Sequence, residues 1–155
     1  MSAVENKLTE LGLALPDAPA PAGAYVPSKQ VGDILYLAGS LPTWNGELRY
    51  KGQVGRDVDV KTAYEAARLC TLNHLAMIKA ALGSLDRVRQ VISVSGYVNC
   101  VSDFPDSPAV LNGSSELLLA LFGEAGKHVR AAVGVAGLPR GAAVEVQMTV
   151  QVAEA

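Results

Sequence analysis

The chain has 155 residues, half of them hydrophobic and 18% charged, which suits one domain with a buried core and excludes a disordered chain. The formal net charge is −2 and the thirteen Lys and Arg residues are scattered. Nucleic acid is therefore not an expected partner, because phosphate binding requires clustered cations.

No apolar run reaches the ~18 residues of a membrane span, and the polar start lacks the apolar stretch of a secretory leader. A cytoplasmic protein is the expectation. Cys70 and Cys100 are expected as buried free thiols, as suits a reducing compartment.

Ser2-Ala3-Val4-Glu5 has the spacing of a capping box and is followed by Leu8, Leu11 and Leu13, which predicts a short N-terminal helix. Residues 15–23 contain three prolines and read as a connector. The runs 25–31 and 34–38 flank Gly32-Asp33 and predict a hairpin. Residues 42–57 are rich in turn formers and hold the single tryptophan, Trp44; they read as a loop that borders a pocket.

Residues 59–82 lack Gly and Pro and run into Gly83, which predicts a long helix with a glycine stop. Residues 88–99 read as a strand with Val88, Ile92, Val94 and Val98 on one side and Ser93, Ser95, Tyr97 and Asn99 on the other. The stretch Phe104-Pro105-Asp106-Ser107-Pro108 is a turn, and a second helix is expected over 109–122 before Gly123. The order of elements predicts an α+β fold, a mixed sheet with two helices packed on one face.

The last segment, HVRAAVGVAGLPRGAAVEVQMTV, reads as a β-hairpin turning at Pro139-Arg140. That register pairs Val133 with Val146, Val135 with Val144 and Ala131 with Met148. It gathers the large apolar residues on one side, as a half-buried sheet requires. Arg130, Ala132, Gly134, Ala136, Glu145 and Gln147 then share the other side, with Arg130 and Glu145 roughly 13 Å apart along the strands. A face of small residues suits contact with another copy of the sheet, so a closed homo-oligomer is expected.

Several residues keep two readings at this level. Arg130 is a ligand anchor or a structural ion pair. Glu145 is a site carboxylate or an ordinary exposed strand residue, and Tyr25 lines a pocket or merely packs. Asn112 is a polar pocket wall or a local backbone contact. His74 and His128 have no third ligand at a metal-like spacing, so no metal site is expected. The glycines form neither a phosphate loop nor a dinucleotide fingerprint.

Arg130, Leu138-Pro139 and Val144-Glu145-Val146, with Tyr25, Ile34 to Pro42 and Asn112 upstream, resemble the RidA (YjgF) family, also labelled endoribonuclease L-PSP. The resemblance covers roughly residues 20–153 and implies a single domain over 1–155, with 1–20 as an N-terminal helix and linker extension. It implies a chorismate-mutase-like fold and a homotrimer with clefts between subunits. It also implies a hydrolytic deaminase of reactive 2-enamines and 2-imines that carry a carboxylate, needing no cofactor and no metal.

By the resemblance, Arg130 binds the substrate carboxylate, Glu145 handles the attacking water, and Tyr25, Ala38, Gly39, Asn112 and Ala132 shape the cleft. Ala132 stands where members often have Cys, and Ala38 where they often have Ser; both exchanges alter the pocket wall. The competing class is a trimeric protein that binds small carboxylate metabolites without turnover. An endoribonuclease is the third reading, against which the weak basic character stands.

Overall fold

The computed structural model describes residues 2–154. Helix α1 (Ala3–Glu10) opens with the expected capping box: Ser2 Oγ accepts from Glu5 N at 3.1 Å, and the Glu5 carboxylate accepts from Ser2 N at 2.9 Å. Strands β1 (Ser28–Val31) and β2 (Ile34–Leu37) form the first hairpin. The segment read as loop contains a second, two-stranded hairpin, β3 (Thr43–Trp44) with β4 (Glu47–Leu48). Its turn is Asn45-Gly46, with φ of 50° and 85°, the dipeptide that best tolerates two left-handed residues.

Helix α2 (Val60–Leu82) is capped by Asp59, which accepts from Thr62 N at 2.7 Å, and ends at Gly83 with φ 85°. Strand β5 (Val88–Asn99), helix α3 (Ser107–Phe122) and strand β6 (Val129–Val135) follow. They make a strand–helix–strand unit in which β5 and β6 pair in parallel. Strand β7 (Val144–Val152) completes a five-stranded sheet of order β1-β2-β7-β5-β6.

This order overturns the C-terminal hairpin. β7 is antiparallel to both β2 and β5, and β6 lies at the far edge on the other side of β5. Two physical reasons explain the outcome. A two-residue hairpin loop needs positive φ at its first central residue, which Pro139 cannot adopt. In place of that loop, Pro139–Gly141 forms a single 3-10 turn, held where Gly52 N donates to Gly141 O at 2.9 Å.

The second reason is hydrophobic. Val144, Val146, Met148, Val150 and Val152 are all buried, each worth about 1.5–3 kcal/mol when fully buried. That stripe belongs in the middle of the sheet. The Ala- and Gly-rich β6 has less to bury and takes the edge.

β6 is also turned over relative to expectation. Val129 and Val133 are 70% and 47% exposed on the face away from the helices. Ala132 pairs with Gly96, where an added Cβ would lie 2.2 Å from Leu111 of α3, so Arg130, Ala132 and Gly134 face the helix layer. In β5, register shifts between Val88 and Gln90 and between Val91 and Ser93 put Val91 in the core in place of Ile92. Asn99 is buried, its amide donating to Ala142 O at 3.1 Å.

α2 and α3 cross where Gly113 meets the backbone of α2. A Cβ at Gly113 would fall 2.0 Å from Tyr64 O, whereas one at Gly137 would meet nothing within 4 Å. Gly113→Ala is expected to destabilise the fold by about 1–3 kcal/mol or more through overpacking, with Gly137→Ala close to neutral. Chemical denaturation of the two variants checks this.

Candidate functional site

The polar residues singled out in the sequence fall into two clusters. The first lies where α3 meets the edge strand β6. Arg130 Nη1 donates to Asn112 Oδ1 at 2.8 Å and to Ser115 Oγ at 3.1 Å. Asn112 and Ser115 are three residues apart on α3 and so point the same way.

These two bonds use both hydrogens of Nη1. Among the described residues nothing accepts from the Nε–Nη2 edge of the guanidinium, which is the edge that takes a carboxylate with two parallel hydrogen bonds. Arg130 is exposed, and Ala132, two residues on, is half-buried beside it on the same face. Ser115 and His128 also belong to this cluster, with 2.8 Å between Ser115 Oγ and His128 Nε2. The sequence pattern gives Ser115 no role and excludes His128 only as a metal ligand, since a Ser and a His thirteen residues apart carry no local pattern.

The second cluster lies on the opposite face of the sheet. Glu145 of β7 sits opposite Tyr97 of β5 and beneath Gly39. An added Cβ at Gly39 would come 2.6 Å from Glu145 Oε2, so only glycine leaves the carboxylate its place. Glu145 is half-buried and has no hydrogen-bond or ion-pair partner among the described residues. Burial pushes its pKa above the usual carboxylate value.

Gly39 is itself fixed by its neighbours, both tied to α2. Ala38 O accepts from His74 Nε2 at 2.9 Å, and Ser40 Oγ donates to Cys70 O at 2.9 Å. His74 and Cys70 are one helical turn apart. Ser40 also exchanges two backbone hydrogen bonds with Val146, at 2.7 and 3.0 Å. Beside this loop opens a cleft of about 430 Å³ lined by Tyr25, Ala38, Gly39, Ser40, Thr43 and Arg140. Tyr25 is half exposed, and its hydroxyl accepts from Ala22 N at 3.2 Å.

The structure therefore brings Arg130, Asn112 and Ala132 together, and separately sets Glu145 under Gly39, with Ala38, Gly39 and Tyr25 lining the neighbouring cleft. Within one chain it does not join the two sets. The expectation that Arg130 and Glu145 share a face is incorrect, because it rested on the hairpin that β5 interrupts. Cys70 and Cys100 are free and buried; burial raises the Cys70 thiol well above its ordinary pKa, which leaves it a poor nucleophile. Among the described residues no three His, Cys, Asp or Glu side chains converge as a metal site, and no helix is long and apolar enough to cross a membrane.

Taken together, the mixed sheet, its helix layer and the loop over Glu145 define an α+β protein of the chorismate-mutase-like class. A family model described as "YjgF/chorismate mutase-like, putative endoribonuclease" matches residues 5–150, and the chain belongs to this family, which includes the RidA proteins. Protein TCP17 of Trypanosoma cruzi is 43% identical over 96% of this chain and 93% of its own length.

Among solved structures, Atu1372 of Agrobacterium tumefaciens, of unknown function, is 45% identical with a TM-score of 0.92, covering 97% of this chain and 93% of that one. RidA of Psychrobacter is 31% identical with a TM-score of 0.61, covering 88% and 94%. TdcF of E. coli, solved with bound serine, shares the fold at 22% identity and a TM-score of 0.62, covering 90% and 94%.

Two outcomes follow from the loop around Gly39. Gly39→Ala displaces only the mobile end of Glu145, so it is expected to keep stability within about 1 kcal/mol while shifting the carboxylate, visible as a changed Glu145 titration by NMR. Burial lowers the His74 pKa from 6.5 to about 4, so the folded state holds His74 neutral where the unfolded chain protonates it. Stability is then lost as pH falls from about 6.5 towards 4, by about 3 kcal/mol in all from this residue. Denaturation at pH 7 and pH 5 should show a smaller drop in His74→Phe than in wild type.

Proposed function

We propose that this protein hydrolyses small reactive 2-enamines and 2-imines bearing a carboxylate, releasing 2-oxo acids and ammonia. The observation that carries the reading is Arg130, held through Nη1 by Asn112 and Ser115 with its Nε–Nη2 edge free for a carboxylate. Because Arg130 and Glu145 lie on opposite faces of one sheet, the reading requires a cleft between subunits. The Arg130 cluster of one copy meets the Glu145 cluster of the next in a closed trimer, with residues 1–155 acting as one domain. The exposed Val129 and Val133 favour such an assembly, since burying them removes apolar surface from water.

In the mechanism the enamine first tautomerises to the imine. The imine carboxylate sits on Arg130, which fixes C2 relative to the water. Glu145 takes a proton from that water as its oxygen bonds to C2, giving a carbinolamine, and returns the proton to nitrogen. The carbinolamine hydroxyl then gives its proton to nitrogen through Glu145 as the C–N bond breaks, so that ammonia leaves and the oxygen becomes the carbonyl of the 2-oxo acid. A carboxylate with raised pKa serves both steps, because proton transfer is fastest when donor and acceptor states are both accessible. Gly39 holds space above it and Tyr25, Ala38 and Asn112 shape the walls.

A second reading keeps Arg130 and dispenses with Glu145: a metabolite-binding protein without turnover. The serine bound in TdcF, an amino acid carrying a carboxylate, favours it. Ribonuclease activity is less well supported, since neither cluster offers the run of cations that an RNA backbone requires.

With 2-aminoacrylate generated in situ, Arg130→Ala is expected to lower kcat/KM about 10- to 100-fold, mainly through KM, and Arg130→Lys should not restore it. Glu145→Gln should lower kcat by about 100-fold or more. The Glu145 pKa is higher in the folded than in the unfolded state, so its stabilising contribution is lost as pH rises through the folded value. Glu145→Gln should consequently melt higher than wild type at pH 7, and this advantage should shrink towards pH 4. Wild type decaying the imine no faster than buffer would reject hydrolysis, and ligand-dependent thermal stabilisation without turnover would favour the binding reading. A monomer in sedimentation at micromolar concentration would remove the shared cleft.

A further inference from the structure

Ser115 supports the Arg130 guanidinium and is itself bonded to His128, to which the proposed reaction gives no role. The direction of their hydrogen bonds follows from the far end of the chain. The Gly126 carbonyl can only accept, so His128 Nδ1, 2.7 Å away, carries the hydrogen. In the neutral ring Nε2 is then the acceptor, and Ser115 Oγ donates to it across 2.8 Å. With its hydrogen committed to His128, Ser115 Oγ can only present a lone pair to Arg130 Nη1 at 3.1 Å.

Without the imidazole the hydroxyl would rotate freely, and for part of its rotation its hydrogen would face a guanidinium that has no acceptor. The anchoring end of this hydrogen-bond chain is closely packed. Gly126 closes the 3-10 turn Gly123–Gly126, and an added Cβ there would stand 2.3 Å from Leu118 O of α3. The carbonyl that fixes the His128 tautomer is therefore seated on the same helix that supplies Asn112 and Ser115.

We propose that His128 is a positioning residue for the carboxylate anchor, acting through Ser115 to hold the Arg130 guanidinium with its Nε–Nη2 edge outward. The inference rests on the reading of Arg130 as that anchor and extends it. An exposed arginine samples many rotamers, and holding one rotamer before the ligand arrives removes an ordering cost from binding. For one such side chain that cost corresponds to about a 3- to 10-fold change in affinity.

The test uses pyruvate as the probe, titrated by calorimetry at pH 8 into the full-length chain, with thermal melts to establish that each variant is folded. Ser115→Ala and His128→Asn should each weaken pyruvate binding about 3- to 10-fold. Asn can reproduce only the contact to Gly126, from the Nδ1 position. His128→Gln, whose amide oxygen can take the place of Nε2 and accept from Ser115, should retain most of the affinity. The double variant Ser115→Ala/His128→Asn should bind no more weakly than the weaker single, because both break the same link. Nitrogen-15 spectra of the wild type should show the Nδ1–H tautomer of His128.

Wild-type affinity in both single variants, with binding lost in Arg130→Ala, would sink the His128 role and leave the Arg130 reading standing. Additive losses, an Nε2–H tautomer, or a His128→Gln variant as weak as His128→Asn would also overturn it. Unchanged binding by Arg130→Ala, or no binding of pyruvate by the wild type, would overturn the carboxylate anchor itself, and this inference with it.

Discussion

Strand β7 is the constraint on which the rest of the structure depends. Every second residue from Val144 to Val152 is a buried Val or Met, and a stripe of that kind is stable only with a strand on each side and helices over its face. β2 and β5 supply the strands and α2 the cover, while α3 packs on β5 and β6. Once β7 takes the centre, β6 is left to pair in parallel with the far side of β5, and the connection through Pro139 must pass the end of the sheet. The alternation that buries the valines also sends Glu145 to the open face, so the position of the carboxylate is a by-product of the core.

That arrangement divides the candidate site by a sheet. Arg130 is governed by α3, through Asn112 and Ser115, while Glu145 and the Gly39 loop are governed by α2, through His74 and Cys70. Each half is preorganised by its own helix: the guanidinium by a hydrogen-bonded nitrogen, the carboxylate by a glycine that leaves it room. Neither half contains the groups the proposed reaction needs from the other. On that reading assembly is a condition of activity, and the small residues of β6 serve the helix contact that sets Arg130 more than they serve the interface.

Much of the fold was legible because its signals are local. The Ser2–Glu5 box, the Gly83 stop and the span of β5 each depend on backbone chemistry within a few residues. The Asn45-Gly46 hairpin carries the same kind of local signal inside a segment whose many turn formers otherwise read as loop. Pro139 also carried a legible warning, since its fixed φ is incompatible with the tight turn that the hairpin required. What the local pattern lacked was β5 between β6 and β7, because strand order depends on which elements bury the most surface together. The shift that places Val91 in the core is a pairing irregularity, and alternation alone cannot reveal it.

The same division holds at the site. Sequence by itself determined the residue types and their family resemblance: an arginine at the head of a small-residue strand, a glutamate between valines, a glycine after Ala38, and Asn112 in the second helix. Tertiary structure decided which of them meet. Arg130 joins Asn112, Ser115 and His128 because β6 is parallel to β5 and turned towards α3. Glu145 meets Gly39 because β7 pairs with the segment that follows β2. A strand's alternation says which residues share a side but not which side faces the helices, and only the packing of the whole sheet makes that choice.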